Sequence, residues 1–581
     1  MQAKFNLIRI NLAFLIIAIL SSNLLTAQTA ELVYSTIIGG GSYDYGHAIF
    51  VDKDGCAYIG GQAHSTNFPT TPGVLDRTHN GSADILVTKL NQDGSGLVYS
   101  TFIGGSQFDD TRNIFVDNAG CVYLSGGAQS PNFPTTENAL QGNSEGYFLK
   151  LSADGSTLDY SSNRLGGEKI ISDGKGNIIM IAGFNGSNDF QRTENAYRQT
   201  PAGGEDVLVV KLNLETNEIL FSTLIGGSGN DMAMDLAQDN DGDIIIFGMT
   251  DSGDFPVKGK AFVSLTSTGN NVFVAKLKSD GTELLTTTII GGSDNDRPFG
   301  LAVDKEDNIY ITGVTTSNDY SVTDNAFQTM YAGSEDGYLT KISADGKKLI
   351  YSTYLGGGDK DGGRGVVVDR AGRAAVTGCT RSANFPVTDN AFDKTYNGGG
   401  SDTWAWGDPF LLLMNPEGTQ PEYATYFGGS ADEEAYGIAI DKNDNIYICG
   451  VTSSSNFPTT SGAYDKRRNG PLNIYAAKFS FNDPSGAKTS GQFPSECQLL
   501  QNYPNPFNPS TTIRYHLSVP SDVSLCIYNM LGQEIKTLVD SYQNIGKYAI
   551  GWQADGLPAG IYFAQLRYDS IVETKKLILT L

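Results

Sequence analysis

The sequence predicts an all-β chain: a seven-bladed β-propeller closed by an N-terminal strand, followed by a small Ig-like β-sandwich. Three observations carry that reading. Glycine makes up 69 of 581 residues while charged residues are only 18%, a turn-rich composition that argues against long helices. One short phrase recurs at intervals of 61 to 72 residues. Each interval holds four runs of β-branched and aromatic residues separated by turn chemistry.

The phrase is an aromatic or Thr, then Ser, Thr or Ala, then a short apolar pair ending in Gly-Gly. It starts at Tyr34, Tyr99, Tyr160, Phe221, Thr286, Tyr351 and Tyr423. In the first unit the strand-like runs are His47 to Val51, Cys56 to Gly60, Ile85 to Leu90 and Leu97 to Ile103. Asp52-Lys53-Asp54-Gly55 and Asn91-Gln92-Asp93-Gly94 are hairpin turns, and acidic-Gly pairs recur at Asp154-Gly155, Asp280-Gly281, Asp345-Gly346 and Glu417-Gly418. Glycine takes the positive φ that tight turns between twisted strands demand. Four antiparallel strands per period suit a propeller blade and are too long a repeat for the helical solenoids. The first run, Leu32 to Ile38, has no partners before it, and the last unit (Tyr436 to Ile440, Ile446 to Cys449, Ile474 to Phe479) lacks a fourth strand. Joining the two completes a seventh blade and leaves no long edge exposed.

Repeated phrases carry a family likeness. They are Val303-Asp304-Lys305-Glu306-Asp307-Asn308-Ile309-Tyr310-Ile311-Thr312-Gly313, Asn67-Phe68-Pro69-Thr70-Thr71 and Tyr351-Ser352-Thr353-Tyr354-Leu355-Gly356-Gly357. Residues 31 to 480 resemble the bacterial seven-bladed β-propeller (SBBP-type) repeat family. The resemblance implies fold and secretion, and brings no common reaction or ligand. The third unit departs at Asn188-Asp189-Phe190-Gln191 and the fifth at Asn318-Asp319-Tyr320-Ser321, where other units carry Phe-Pro.

Strands that alternate in direction put the tight Asp-Gly turns on one face. The long second-to-third loops and the Gly-Gly links share the other, where binding is expected. From the second Gly of each link to the Asp ending the inner strand is 12 residues in six units, but only 6 in the third, from Gly167 to Asp173. The fourth residue after that Gly is acidic in all six full links: Asp44, Asp109, Asp231, Asp296, Asp361 and Glu433. One reading is that each carboxylate accepts backbone N–H bonds and fixes its own loop. The other is a broken ring that binds a cation or cationic ligand, with a notch at the third unit.

Three further features bear on chemistry. Asp239, Asp241 and Asp243 open like a calcium loop but lack a Glu at the twelfth position, so an ordinary turn is favoured over calcium and no cofactor is predicted. The sixth unit carries an insertion with Trp404 and Trp406. Paired indoles suit sugar rings, or simply hold the loop down. Only four His exist, His47, His64, His79 and His516, and no HExxH, GxSxG or phosphate loop is present, so no catalytic residue is predicted. A lyase or glycosidase built on Tyr or paired carboxylates is the rival reading, and a purely structural surface component a third.

The two ends read as addresses. Lys4 and Arg9, the apolar run Leu12 to Leu20 and a cleavage point at Ala27–Gln28 form a secretory signal, too short to span a membrane. No later stretch is long and apolar enough to do so. Phe481 ends the repeat pattern, and 482–496 is a linker. Residues 497–581 carry Asn502-Tyr503-Pro504-Asn505-Pro506-Phe507, Tyr528-Asn529-Met530-Leu531-Gly532-Gln533-Glu534, Leu557-Pro558-Ala559-Gly560-Ile561-Tyr562 and Lys575-Lys576-Leu577. They resemble the type A C-terminal sorting domain of type IX secretion, implying that machinery as partner. The net charge of −24 argues against nucleic acid. Cys56, Cys121, Cys379, Cys449, Cys497 and Cys526 show no CxxC spacing and read mostly as buried small residues. The domains are thus 1–27 signal, 28–481 propeller, 482–496 linker and 497–581 sorting domain. The chain reads as a secreted or cell-surface protein of a Gram-negative bacterium that binds a glycan or protein.

Overall fold

A computed structural model describes residues 29–580 apart from 141, 143–145, 165, 187–191, 260–261, 263–268, 399–406, 483–497, 501, 503, 518–520, 544–545, 555 and 569–570. The signal segment, the Trp404–Trp406 insertion, Cys497 and most of the linker therefore lie outside the described residues. All regular structure among the described residues is β-strand. The chain divides into two units at Asn482 and Asp483.

In the larger unit the described strands form seven four-stranded antiparallel sheets. The first consists of Asp44–Val51, Ala57–Ala63, Asp84–Leu90 and Leu97–Ile103, in chain order. Five more follow the same plan. Their first strands are Asn113–Val116, Lys169–Ser172, Asp231–Gln238, Asp296–Val303 and Asp361–Val368. The seventh begins at Glu433–Ile440 and ends on the chain's first strand, Thr29–Ile38, which pairs antiparallel with Asn473–Asn482 from Thr29 opposite Asn482 to Ile38 opposite Ile474. Each first strand touches the first strands of the sheets before and after it, and Glu433–Ile440 touches Asp44–Val51. The inner strands thus close a circle.

The middle strands show why. Ala57–Ala63, Ile309–Thr315, Ala374–Thr380 and Ile446–Thr452 are buried at every residue, so both faces of each sheet are covered. Seven apolar clusters each bridge two neighbouring sheets. One joins Tyr58, Ile85, Val87 and Tyr99 to Ile114, Val122, Tyr147 and Leu149, and another closes the circle through Tyr34, Ile38, Ile474 and Ala476 against Ile49, Ile59 and Leu86. The aromatic opening each repeat has a defined task here. Gly94, at φ +70°, lies on the Tyr34 ring, where a Cβ would come 2.5 Å from it, and Gly155 lies likewise on Tyr99. The repeat phrase of one sheet therefore seats the acidic-Gly turn of the next.

In the tail unit, one sheet holds Gln498–Leu499, Ser510–Leu517 and Gly546–Gln553, and the other Glu534–Gln543, Ser521–Asn529, Gly560–Tyr568 and Ile571–Leu579. Both feed one core, with Ile513, Tyr515 and Trp552 from the first against Leu525, Ile527, Ala564, Leu566 and Leu577 from the second. The Asn-Pro-Phe opening is bound into this core. Phe507 packs against Trp552 at 5.3 Å, and its backbone bonds Ile578 and Thr580.

Removing Thr29–Ile38 would expose the edge of Asn473–Asn482 and uncover Tyr34, Ile37 and Ile38, each contributing about 1.5–3 kcal/mol. A chain starting at residue 39 should lose at least about 5 kcal/mol in urea unfolding. An unchanged midpoint would show that the closing strand carries no load.

Candidate functional site

Each inner strand is the edge of its own sheet, so one side faces the opening that the circle surrounds. In five inner strands the pairing with the second strand slips by one residue at the same repeat position, between Gly46 and Ala48, Ala233 and Asp235, Pro298 and Gly300, Gly363 and Gly365, and Ala435 and Gly437. A bulge of this kind re-aims the extra side chain. The residues so placed are His47, Met234, Phe299, Arg364 and Tyr436, and Arg112 holds the same position, three beyond Asp109. The third sheet, with its shortened link, supplies Glu168 and Lys169.

These side chains meet from sheet to sheet. The Tyr436 and His47 rings lie edge to face at 5.3 Å, and His47 Nδ1 is 3.0 Å from the Thr111 carbonyl. Arg112 donates to both Glu168 oxygens at 3.1 and 3.0 Å, while Lys169 Nζ lies 3.2 Å from Asp235. Arg364 stacks on Phe299, its Cζ 4.3 Å from the ring centroid. The Tyr436 hydroxyl is hydrogen-bonded to Glu434, which also feels the Arg364 charge. The notch expected at the third unit is therefore spanned by Glu168 to one neighbour and Lys169 to the other.

The electrostatics differ from the rest of the chain. Arg112, Lys169, Arg297 and Arg364 face Asp110, Glu168, Asp235 and Glu434, a balanced set in a chain of net charge −24. Arg297 is exposed and has no ion pair among the described residues. Burial pulls the His47 imidazole below its ordinary value and pushes the Glu434 carboxyl up. The Glu168 charge raises Arg112. Flat aromatic faces, a guanidinium and a neutral imidazole around one opening suit a polar ligand with apolar faces.

The acidic residues read from the links lie elsewhere. Asp44, Asp109, Asp231, Asp296, Asp361 and Glu433 are all at most 1% exposed, so none is presented to a ligand. Each accepts the N–H of the second link Gly, from Gly40 to Asp44 at 2.8 Å through to Gly429 to Glu433 at 2.9 Å. A serine hydroxyl from the following loop joins, as Ser65 does for Asp44 and Ser382 for Asp361, both at 2.7 Å. The Asn-Phe-Pro phrases are absorbed in the same way. Asn67 Oδ1 accepts from Gly41 N at 2.8 Å, and Phe385 stacks 4.5 Å from Phe410. Tyr320, where the fifth unit departs from the phrase, fills the same slot against Tyr338 at 4.8 Å.

Asp239, Asp241 and Asp243 do not converge, and among the described residues no three His, Cys, Asp or Glu side chains are placed to hold a metal ion. Asp239 Oδ1 accepts from the N–H groups of Asp241 and Asp243 at 3.0 and 2.9 Å, and the Lys276 ammonium pairs with Oδ2. The same device recurs with a tyrosine added: Lys89 reaches Asp52 at 3.2 Å and lies 4.6 Å over the Tyr58 ring. A polar cleft of about 250 Å³ opens beside it on the Asp-Gly turn face, lined by Asp52, Lys53, Asp54, Lys89 and Asp117. That face is less bland than its tight turns suggest. His79 Nε2 is taken by the Ala63 carbonyl at 3.0 Å, and His64 lies among Tyr45 and Phe108.

The spacing of the shared phrases does not mark the bulge residues, which belong to no repeated phrase. The available signal is side-chain size. Three residues beyond each link carboxylate, the repeats present His, Arg, Met, Phe, Arg and Tyr, mostly large side chains at a position flanked mainly by small ones.

Comparison with known proteins agrees on the class. The family described as Beta-propeller repeat matches residues 33–69, 287–321 and 422–458, and the family described as Secretion system C-terminal sorting domain matches residues 501–580. The chain thus carries β-propeller repeats followed by a sorting domain that directs type IX secretion. No curated protein matches it in sequence. Among solved structures, similarity is found to a fungal alcohol oxidase of the AA5 family in complex with copper, at 12% identity and a TM-score of 0.38, over 95% of this chain and 100% of that one. PorZ, a surface component of the type IX secretion system of Porphyromonas gingivalis, gives 12% identity and a TM-score of 0.23 over 94% and 75%. A gluconolactonase from Xanthomonas campestris gives 13% and 0.30 over 78% and 91%.

Because a lysine already fills the cation position at Asp239, EDTA should leave the melting midpoint of the protein unchanged. Lys276→Met, which strands a buried carboxylate, should cost about 3 kcal/mol in urea unfolding. A chelator-induced drop would instead assign a metal to the turns.

Proposed function

We propose that the chain is an exported binding module: a seven-bladed propeller closed by Thr29–Ile38, followed by an Ig-like sorting sandwich, that engages a glycan or protein at the cell surface or outside. The observation that supports this most is the division between repeated and unrepeated positions. Link carboxylates, serines, Asn-Phe-Pro phrases and turn glycines are consumed in holding sheets together, whereas the position facing the opening takes five residue types across the six sheets with a full link. Ligand contact is assigned to that ring, with Phe299 and Arg364 as its flat cationic-aromatic element, Arg297 beside them, and Tyr436 and His47 on the next two sheets round. Trp404 and Trp406 keep the role of candidate sugar contacts.

One contact favours a second reading, a polysaccharide lyase, since His47, Tyr436 and Arg364 supply hydroxyl, imidazole and cation in one place. Burial pushes the Tyr436 hydroxyl far up, so at neutral pH it is a donor to Glu434 and a poor base. Binding therefore stands first.

A glycan and polysaccharide array probed with the secreted chain tests the reading, beside Phe299→Ala/Arg364→Ala and Trp404→Ala/Trp406→Ala variants. Loss of signal by at least tenfold in the first variant, with an unchanged melting midpoint, is the expected result. Retained binding there with loss in the Trp pair would move the site to the insertion. Shortening of bound polysaccharide would establish the lyase.

A further inference from the structure

We propose that the joints between neighbouring sheets are fastened by buried carboxyl pairs that each share one proton, so that the closed circle is tightest in mildly acid surroundings and loosens when the pairs ionise. Four joints carry such a pair. Its outer member opens the third strand of one sheet (Asp84, Asp206, Asp336, Asp408), and its inner member precedes or opens the first strand of the next (Asp109, Asp231, Asp361, Glu433). The first Gly of each Gly-Gly link lies between them. A Cβ on Gly104 would come 2.6 Å from Asp84 Oδ1 and 3.0 Å from Asp109 Oδ2, and one on Gly428 would come 2.9 Å from both Asp408 Oδ1 and Glu433 Oε2. All eight carboxyls are at most 1% exposed.

The two members have unequal partners. The inner one is supplied with donors by the link Gly and the loop serine described above. The outer one uses Oδ2 to accept a loop N–H, from Asn80 to Asp84 at 2.6 Å, Ala202 to Asp206 at 2.8 Å, Ala332 to Asp336 at 2.7 Å and Asn397 to Asp408 at 2.7 Å. Oδ1 of Asp84, Asp206 and Asp408 is buried without any hydrogen-bond partner and borders the same Gly as the inner carboxyl; Oδ1 of Asp336 accepts the Gly333 N–H at 3.1 Å. None of the eight forms an ion pair among the described residues. Two ionised carboxylates so placed, neither in an ion pair, would repel across the link Gly, whereas one proton shared between them relieves the repulsion.

The remaining three joints state what the place requires. Where the last sheet meets the first, the outer position is Asn473, whose Nδ2 donates to Asp44 Oδ2 at 3.3 Å and to the Gly40 carbonyl at 3.1 Å. An amide in the place of a carboxyl supplies permanently the donor that a protonated acid supplies conditionally. Asn271 stands in the same place against Asp296, both facing Gly291. At the joint between the second and third sheets both members are missing together. The outer position is Gly146, the short link carries only Glu168, which is taken by Arg112, and a Cβ on Gly146 would come 2.6 Å from Gly166 Cα. No outer acid stands opposite a link that lacks the inner one.

The surroundings agree in direction. Burial, then the partner's charge, holds Asp408 up at about 8, and burial holds Asp361 at about 7 and Asp336 at about 6. Burial likewise raises Asp84, Asp231 and Glu433. Facing groups are His79, Asp76 and Asp109 at Asp84, Tyr331 and Tyr354 at Asp336, and Tyr426 at Asp361. Asp393, Asp432 and Tyr396 face Asp408, with Arg381 beside Tyr396. Arg198 bonds the Gly226 carbonyl next to the Asp206–Asp231 pair. With Asp84, Asp231, Asp336, Asp361, Asp408 and Glu433 held above the unfolded carboxylate value, the native state holds the extra protons, so the stability they confer is full near pH 4 and is lost as pH rises through about 6 to 8.

The test is melting of the secreted chain from pH 5 to 8.5, beside Asp206→Asn/Asp336→Asn/Asp408→Asn. The wild-type Tm should fall with rising pH by about 1–3 °C per ionised pair. The triple variant should match it at pH 5, exceed it at pH 8.5 and show a shallower profile, since the Asp84–Asp109 pair and the raised Asp296 remain. A wild-type profile flat or rising over that range, or a variant equally weakened at both ends, overturns the proposal. So does calcium raising the wild-type Tm at pH 8.5 but not the variant's, which would put a cation where the proton is assigned. If the variant fails to fold, the infrared band of a protonated carboxyl decides from wild-type protein at pH 6.5, present for the proposal and absent against it.

Discussion

The larger unit depends on one constraint: each of its sheets is apolar on both faces, and a sheet can bury both only with a neighbour on either side. A row of such sheets always leaves two faces wet. A circle leaves none, which is why the first strand of the chain lies beside its last repeat, Thr36 opposite Ala476, more than four hundred residues on. Sheet packing then fixes the rest. Neighbouring sheets must approach closely where one repeat passes into the next, and at that passage the sequence reads Gly-Gly because side chains from both sheets already occupy the space a Cβ would need.

From that constraint follows a division of labour. Residues at the passage are held to one solution: a carboxyl accepting the link amide, a serine donating to it, an Asn or Asp holding the link, and an aromatic plug from the long loop. Residues at the bulge of the inner strands face an opening and meet chiefly one another, as His47 meets Tyr436 and Arg364 meets Phe299, outside the fixed pattern of the joint. They are therefore free to differ, and they do, as His47, Arg112, Met234, Phe299, Arg364 and Tyr436. In a repeat protein the positions that vary among invariant ones are those on which selection for contact can act without loosening the fold.

Much of the architecture was legible because it is written several times. The strand runs, the acidic-Gly turns and the pairing of the first run with the last repeat follow from periodicity, and the run Leu97 to Ile103 coincides with its strand end to end. Inner strands begin earlier than their apolar residues suggest, at Asp44 and not His47, because the buried carboxylate is part of the strand. The repeated Asp44-type acids were equally legible, but not their direction: a regular spacing cannot tell a carboxylate turned into a joint from one turned into a channel. The outer acids Asp84, Asp206, Asp336 and Asp408 escaped notice because their partners are supplied by the next repeat. The bulge escaped because a one-residue slip in pairing leaves no mark on spacing within a single strand.

An exported chain usually secures itself with disulfides, and here the five described cysteines are free thiols. Cys379 and Cys449 sit wholly buried between sheets, where burial pushes both thiols up to about 12, so they are inert small residues and no substitute for a staple. Cys56 and Cys121 are half-buried, and burial raises them too. Closure has to do what cross-links do elsewhere. Pairing the two ends of a unit of more than four hundred residues constrains the chain as a long-loop cross-link does, and it forms wherever the chain folds, with no oxidant required. The strand that completes the circle lies at the N-terminal end of the unit and its partner at the C-terminal end. Neither sheet edge is satisfied until the whole unit is present.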